Sequence, residues 1–145
     1  MGAGTETEMK QKKQMFEDSL NSTKAALESG IVPGGGVALL RASKAIEKCK
    51  LSEEEKLGGQ VLFKATQEPL RQIAKNAGFD PSIILQDVLK GSKNTGFNMI
   101  SEEIEDLLKA GIVDPAKIVK NSLSHAVSVA GVVLLSEVLI ADAKE

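Results

Sequence analysis

A helical bundle, all-α in class, is the fold that this 145-residue sequence predicts, and three observations point to it. Helix-start signals recur along nearly the whole chain: Thr5-x-x-Glu8 and Ser52-x-x-Glu55 have capping-box spacing, and Asp80-Pro81 joins an N-cap to an N1 proline. Between those signals the apolar residues recur at three- and four-residue steps instead of alternating. Aromatic residues make up 3% of the chain, with no Trp or Tyr, so the core has to be built from Leu, Ile, Val and Ala, which suits close helix packing.

The first helix is expected from about Glu6 to Ser29, with Gly30 as its left-handed stop. Its opening half, Glu8 to Gln14, is nearly all polar, whereas Phe16, Leu20, Ala26 and Leu27 give the second half an apolar stripe. The helix should therefore project as an arm, with early residues that need another partner. After Gly34-Gly35-Gly36 a second helix carries Ala38, Leu39, Ala42, Ala45, Ile46 and Cys49 and ends near Lys50. A third opens at Ser52 and runs through Leu57, Val61, Leu62 and Ala65 until Pro69 breaks or restarts it; Leu70, Ile73 and Ala77 continue it to Gly78. Pro81 then begins a short helix with Ile84, Leu85, Val88 and Leu89 behind it and Gly91 as its end. Phe97 to Ile100 should be extended, followed by a helix bearing Ile104, Leu107 and Leu108 that Gly111 closes, so that Ile112-Val113 returns to pair with Phe97-Asn98 as a small β-hairpin. The last helix is expected from Pro115, with Asp114 as its N-cap. It is apolar nearly all round from Ala126 to Leu135, which reads as a buried central helix. Val138 to Asp142 either extends it or forms an edge strand.

Composition excludes several function classes. The formal charge is −2 and the 18 basic residues are scattered, so no Lys/Arg stripe offers a nucleic acid footprint. One cysteine, Cys49, cannot form an internal disulfide, and no basic-then-apolar signal opens the chain, which suggests a reducing compartment. The apolar run Ala126 to Ala141 is short for a membrane span and is interrupted by Ser128, Ser136 and Glu137, so no membrane partner is expected.

Few residues carry chemistry by themselves. Gly34-Gly35-Gly36 is not a Walker A loop, since no Gly-Lys-Ser/Thr follows, and it lacks the preceding strand and third spaced glycine of a dinucleotide fingerprint. It is either a flexible turn between helices or a place where backbone N–H groups at a helix start are open to a ligand. His125 lies in an apolar helix with no cysteine or carboxylate at helical spacing and is assigned no role. Cys49 reads as a small core residue, and Glu53-Glu54-Glu55 as a helix start favoured by the macrodipole rather than a metal site. No metal site is expected. Asp18 reads as a solvated acid on the first helix.

Residue for residue, Gly2 to Lys10, Asp18, Glu28 to Leu40, Pro69-Leu70-Arg71-Gln72-Ile73, Asn76-Ala77-Gly78, Gly111 to Lys117 and Ser128 to Gly131 resemble the group I chaperonins, the GroEL family. The resemblance covers almost the whole chain. It implies an equatorial-domain-like helical bundle, with residues 1–30 forming the arm of an intermediate domain and residues 31–145 the C-terminal half of an ATP-binding equatorial domain. The family chain is far longer, so the resemblance further implies a fragment that lacks the apical domain and the Gly-Asp-Gly-Thr-Thr phosphate loop, with Met1 marking an internal cut or a truncated copy.

The resemblance also implies roles. Gly34 and Gly35 would meet the nucleotide's sugar, Asp114 would accept from the ribose hydroxyls, and Asn98, Met99 and Ile100 would border the adenine, where the family commonly has small residues after the asparagine. Asp18 would help orient the attacking water and the metal-bound phosphate when the arm swings down. Implied cofactors are ATP and Mg²⁺, with K⁺ as a further ion, in the full-length protein. Implied partners are identical subunits in a ring, and unfolded clients and a GroES-type co-chaperonin bound through regions absent here. The compartment would be bacterial cytoplasm, or an organelle matrix in a eukaryote. Arg71 and Asp80 with Ser82 and Ile83 would lie where two rings meet, and Leu139 to Asp142 would add a strand to a neighbouring subunit. The fragment alone is not expected to hydrolyse ATP. The alternative is a non-catalytic helical interaction module, a degenerate relative whose bulky Met99 and Ile100 reflect lost nucleotide binding.

Overall fold

The computed structural model describes residues 2–138, 140 and 141. In order the elements are α1 (Glu6–Ser29), β1 (Ile31–Pro33), α2 (Val37–Ile46), α3 (Glu53–Ala65), α4 (Glu68–Asn76), α5 (Pro81–Lys90), β2 (Thr95–Asn98), β3 (Glu103–Asp106), β4 (Val113–Pro115) and α6 (Ala116–Leu135). The predicted helical class holds. The strands form two small antiparallel ladders, β1 with β4 and β2 with β3.

Helix starts follow their local chemistry. Thr5 Oγ1 accepts from Glu8 N at 3.2 Å, and Ser52 and Glu55 complete a reciprocal capping box at 3.3 and 2.8 Å. Asp80 Oδ1 accepts from Ser82 N and Ile83 N at 2.7 and 3.3 Å, with Pro81 behind it. The third helix does restart at the proline, as α4. Helix α2 stops at Ile46, short of Lys50, because Lys48 N and Cys49 N bond three residues back, to Ala45 O and Ile46 O, and tighten the end into turns.

Two expectations about the strands are overturned. Ile104 lies on β3 opposite Phe97, not on a helix. Asn98 Oδ1 accepts from Ile100 N at 2.9 Å and Glu102 sits at φ 59, which turns the chain sharply after β2 and folds it back. Asp106 Oδ1 then accepts from Leu108 N and Lys109 N, so Leu107 and Leu108 occupy a turn. The three- and four-residue spacing of Ile104, Leu107 and Leu108 thus arises from a strand and a turn. Val113 pairs not with Phe97-Asn98 but with Pro33, and Asp114 with Val32, in a β1–β4 ladder that helix periodicity did not indicate. Helix α6 accordingly has Pro115 at its N-cap, with no side-chain cap bond from that residue. Asp114 is a strand residue, not an N-cap.

The core is compact and comes from the middle of the chain. Val37 and Leu40 of α2, Leu70 and Ala74 of α4, Ile84, Leu85 and Val88 of α5, Phe97 of β2 and Leu107 enclose one another. Phe79 meets Phe97 edge to face at 5.0 Å. Arg41 locks α2 to the end of α5: its Nη2 donates to Val88 O at 2.6 Å, Gly91 O at 3.2 Å and Ser92 O at 2.6 Å, a cation on the negative end of that helix. Burial there lowers the Arg41 pKa from its ordinary value.

The outer helices are different. Helix α6 buries no residue, and its apolar end, Val132 to Leu135, is exposed, Leu135 at 86%, so the expected central helix is a surface one in this chain. By length and composition α6 could cross a bilayer, yet its first half carries Lys117, Lys120, Asn121, Ser122 and Ser124, and its start is held by β4. Helix α1 also buries none, and its stripe of Phe16, Leu20 and Leu27 is exposed; Ser22, Ala25 and Ala26 are half-buried. Cys49 is exposed, contrary to the core reading. The expected edge strand at Leu139 to Asp142 lies, at Leu139 and Asp142, outside the described residues. In all the chain exposes 10873 Å², against about 7,200 Å² for a compact monomer of its mass. Large apolar side chains on α1 and α6, among them Phe16, Leu20, Leu27, Leu134 and Leu135, contribute to that excess.

Gly36 is the tightest point of the core. It is the left-handed N-cap of α2 at φ 77, and a Cβ there would lie 2.6 Å from Leu70 N and 3.0 Å from Leu70 Cα. Gly36→Ala is therefore expected to lower stability by roughly 2–4 kcal/mol, and Gly30→Ala, also at positive φ but facing open space, by about 1 kcal/mol, in urea unfolding. The unpartnered surface predicts oligomers or a loosened core for the isolated chain in sedimentation and dye binding; a sharp monomeric transition would contradict that.

Candidate functional site

The β1–β4 ladder is what assembles a site from residues about eighty positions apart. Past the ladder's end Gly34 N donates to Ile112 O at 3.0 Å, and a Cβ on Gly34 would press on the Ile112 backbone at 3.3 Å. Gly35, at φ 61, lies over the β2–β3 hairpin, its Cβ direction 3.7 Å from Leu107 Cδ1 and 4.0 Å from Phe97 O. The glycine triplet, the strand carrying Asn98 and the segment leading to Asp114 are thus packed together.

Beside them opens a cleft of about 470 Å³, walled by Gly36, Ala38 and Leu39 of the α2 end, Pro69 and Ile73 of α4, Asp114, and Pro115, Ile118, Val119 and Ser122 of the α6 end, with Ser22 of α1 at its edge. The walls are mostly apolar. Two helices that start here, α2 and α6, lack both a side-chain cap bond from their own N-cap residue and any acid in the first turn; the start of α6 is capped from α1 instead, by Ser29 Oγ on Lys117 N and Gly30 O on Ala116 N, which leaves the α2 end to favour an anion. Among the described residues nothing donates to the Asp114 carboxylate, and burial raises its pKa from the ordinary value. A half-buried carboxylate of that kind gains from a neutral hydroxyl donor.

The other expected residues stand as follows. Asn98 spends its side chain inside the hairpin: Nδ2 donates to Glu105 Oε1 at 2.6 Å while Oδ1 closes the turn at Ile100. Met99 packs against the core, whereas Ile100 is 94% exposed. Gly34, Gly35, Asn98, Met99 and Ile100 do not line the cleft itself; Gly36 and Asp114 do. Asp18 is exposed on α1, one turn before Ser22 and on the same face, and is in no ion pair with a described residue. Arg71 and Ser82 are brought within reach of each other, Nη1 to Oγ at 3.4 Å.

Sequence reading missed Ser22, Pro69 and Ile118 as cleft residues, because only tertiary packing brings α1, α4 and α6 to one hollow. A second hollow of about 340 Å³ between α2 and α3, lined by Ile46, Cys49, Leu51 and Phe63, is separate from this cleft. No cluster of His, Cys, Asp or Glu among the described residues could hold a metal by itself.

Comparison with known proteins bears on this arrangement. A family model described as the TCP-1/cpn60 chaperonin family matches residues 1–144. The chain is 59% identical over its full length to Chaperonin GroEL 3 of Protochlamydia amoebophila (strain UWE25), of which it spans 27%. Among solved structures, a group III chaperonin crystallised in the open state superposes with a TM-score of 0.86 at 31% identity, over 97% of this chain and 30% of the other.

A raised Asp114 pKa means that the folded chain binds more protons than the unfolded one just above the ordinary aspartate value. Stability therefore falls as pH rises from about 4 through the folded pKa and levels off beyond it. Asp114→Asn is expected to flatten that slope and to raise the urea midpoint at neutral pH, measured between about pH 4 and pH 8.

Proposed function

Because the chain belongs to the TCP-1/cpn60 chaperonin family, we propose that it supplies the C-terminal part of an ATP-driven protein-folding chaperonin subunit. Residues 1–30 serve as the intermediate-domain arm and residues 31–145 as half of the nucleotide-binding equatorial domain. The observation that carries this reading is the β1–β4 ladder, which brings the glycine triplet and Asp114 together beside a cleft faced by the uncapped start of α2. The residues fit a nucleoside with phosphates. In this reading Gly34 and Gly35, whose Cβ directions face Ile112 and Leu107, would meet the sugar with their backbone, Asp114 offers an unpaired acceptor to ribose hydroxyls, and the Asn98 turn with Met99 and Ile100 borders the base. When bound, Mg²⁺ with K⁺ neutralises the phosphates, and ATP supplies the phosphoryl group transferred to water.

Asp18 is the residue we assign to catalysis. Its exposed carboxylate on the arm, one turn before Ser22, can be carried toward the cleft by a pivot of α1 at Gly30, and its role there is to orient water and hold charge. The excess apolar surface of α1 and α6 fits a chain that works inside a larger subunit and a ring of identical subunits. Clients and a co-chaperonin would engage other parts of that subunit. The bacterial relative supports a cytoplasmic setting. The match of the chaperonin family model to residues 1–144 and the 59% identity to a chaperonin over the full chain favour this reading over a degenerate interaction module.

Amide NMR titration of the chain with Mg-ATP should shift Gly34 to Gly36, Asn98 to Ile100 and Asp114 selectively. Joined to a family N-terminal half, the chain should hydrolyse ATP, and Asp18→Ala should lower turnover at least about 100-fold while nucleotide still binds. Hydrolysis that survives Asp18→Ala would remove the catalytic assignment.

A further inference from the structure

We propose that Arg41 is a positioning residue that, together with Val37 one turn before it on α2, fixes the angle of the β2–β3 hairpin against α2 and so the spacing between the Asn98 turn and the glycine triplet. The two residues hold β2 at different points. At the start of α2 the hairpin lies close on Val37 because Gly96 carries no side chain: a Cβ there would come within 2.6 Å of Val37 Cγ2 and 2.4 Å of Leu107 Cδ1. One turn later Arg41 Nη2 donates to Ser92 O at 2.6 Å, and Thr95 N, the first amide of β2, donates to that same oxygen at 3.1 Å. The guanidinium and the strand thus share one carbonyl. A single contact at Val37 would leave the hairpin free to rock; the second, four residues along the same helix face, removes that freedom.

The turn between Arg41 and β2 is tight enough to transmit this hold. Ser92 N donates to Thr95 Oγ1 at 3.0 Å, the two hydroxyl oxygens are 2.8 Å apart, and Gly91 has no room for a side chain, its Cβ direction lying 2.4 Å from Thr95 Cγ2. The guanidinium is oriented for these carbonyls at the expense of its own satisfaction: Nη1 and Nη2 together reach the oxygens of Val88, Leu89, Gly91 and Ser92, while Nε is buried with no partner among the described residues. A lysine in its place is a point charge and cannot span those oxygens. Asn98 closes the far end of β2, and Phe97 O lies 4.0 Å from the Cβ direction of Gly35. The inference deepens the chaperonin reading and rests on it for one consequence: a hairpin held at this angle presents a preformed wall to the base.

The test begins with the 145-residue chain without nucleotide. Amide exchange is followed together with the distance between spin labels placed by Lys44→Cys on α2 and Glu103→Cys on β3, in a Cys49→Ser background. Arg41→Met, which keeps the stem and removes the donors, should speed exchange of Thr95 to Asn98 about tenfold more than that of Leu70 to Ala74 in α4, and broaden the distances. Arg41→Lys should fall between Arg41→Met and the wild type, and it carries the same comparison if Arg41→Met does not fold. Mg-ATP should then be needed at about ten times the wild-type concentration to shift Asn98 to Ile100 in Arg41→Met. A wild-type chain that ignores Mg-ATP would remove the nucleotide reading and leave exchange and distances to decide the role of Arg41. Exchange sped equally in α4, distances unchanged in the variants, or wild-type affinity for Mg-ATP in Arg41→Met would overturn the proposal.

Discussion

Three backbone pairings between β1 and β4 hold this structure to its purpose. Ile31 with Pro115, Val32 with Asp114 and Pro33 with Val113 tie the two ends of the body together. Without them the end of α1, the glycine triplet, Asp114 and the start of α6 share no frame. The ladder is short, and it is reinforced from both sides: Gly34 N continues it onto Ile112 O, and Ala116 N continues it onto Gly30 O. Beyond Gly34 the chain needs to turn into α2 against the start of α4 with no room for a side chain, so the glycine at position 36 follows from packing as much as from any ligand.

Local chemistry was legible wherever a single residue type decides it. The Thr5, Ser52 and Asp80 caps, the restart at Pro69 and the stop at Gly91 stand where the sequence places them. What could not be read is what distance along the chain conceals. Ile31-Val32-Pro33 has no alternation long enough to mark a strand, and its partner lies about eighty residues away. The spacing of Ile104, Leu107 and Leu108 suits a helix, but the Asn98 turn and the left-handed Glu102 fold it into a hairpin. Arg41 gives no sign in the sequence that it will close the end of α5, since the carbonyls it binds, of Val88, Gly91 and Ser92, lie about fifty residues away.

The site divides the same way. Of the residues named by family resemblance for the site, Asp114 lines the cleft, whereas Asp18, Gly34, Gly35, Asn98, Met99 and Ile100 do not, and much of the apolar wall comes from Ala38, Leu39, Ile118 and Val119, to which no site role was assigned. Composition misled at α6. An all-round apolar helix reads as buried, and within this chain, which spans 27% of its relative's length, it is bare. Burial is a property of the assembled subunit, whereas hydropathy is written in each segment.

The separation of β1 from β4 also has a consequence in time. A chain growing at 5–20 residues per second makes β1 roughly 4–16 s before β4 is synthesised. During that interval α2, α4 and α5 can already pack on one another through contacts close in sequence, whereas the glycine triplet has no strand beside it. The face that joins the glycine triplet to Asp114 is therefore completed only after the core has formed.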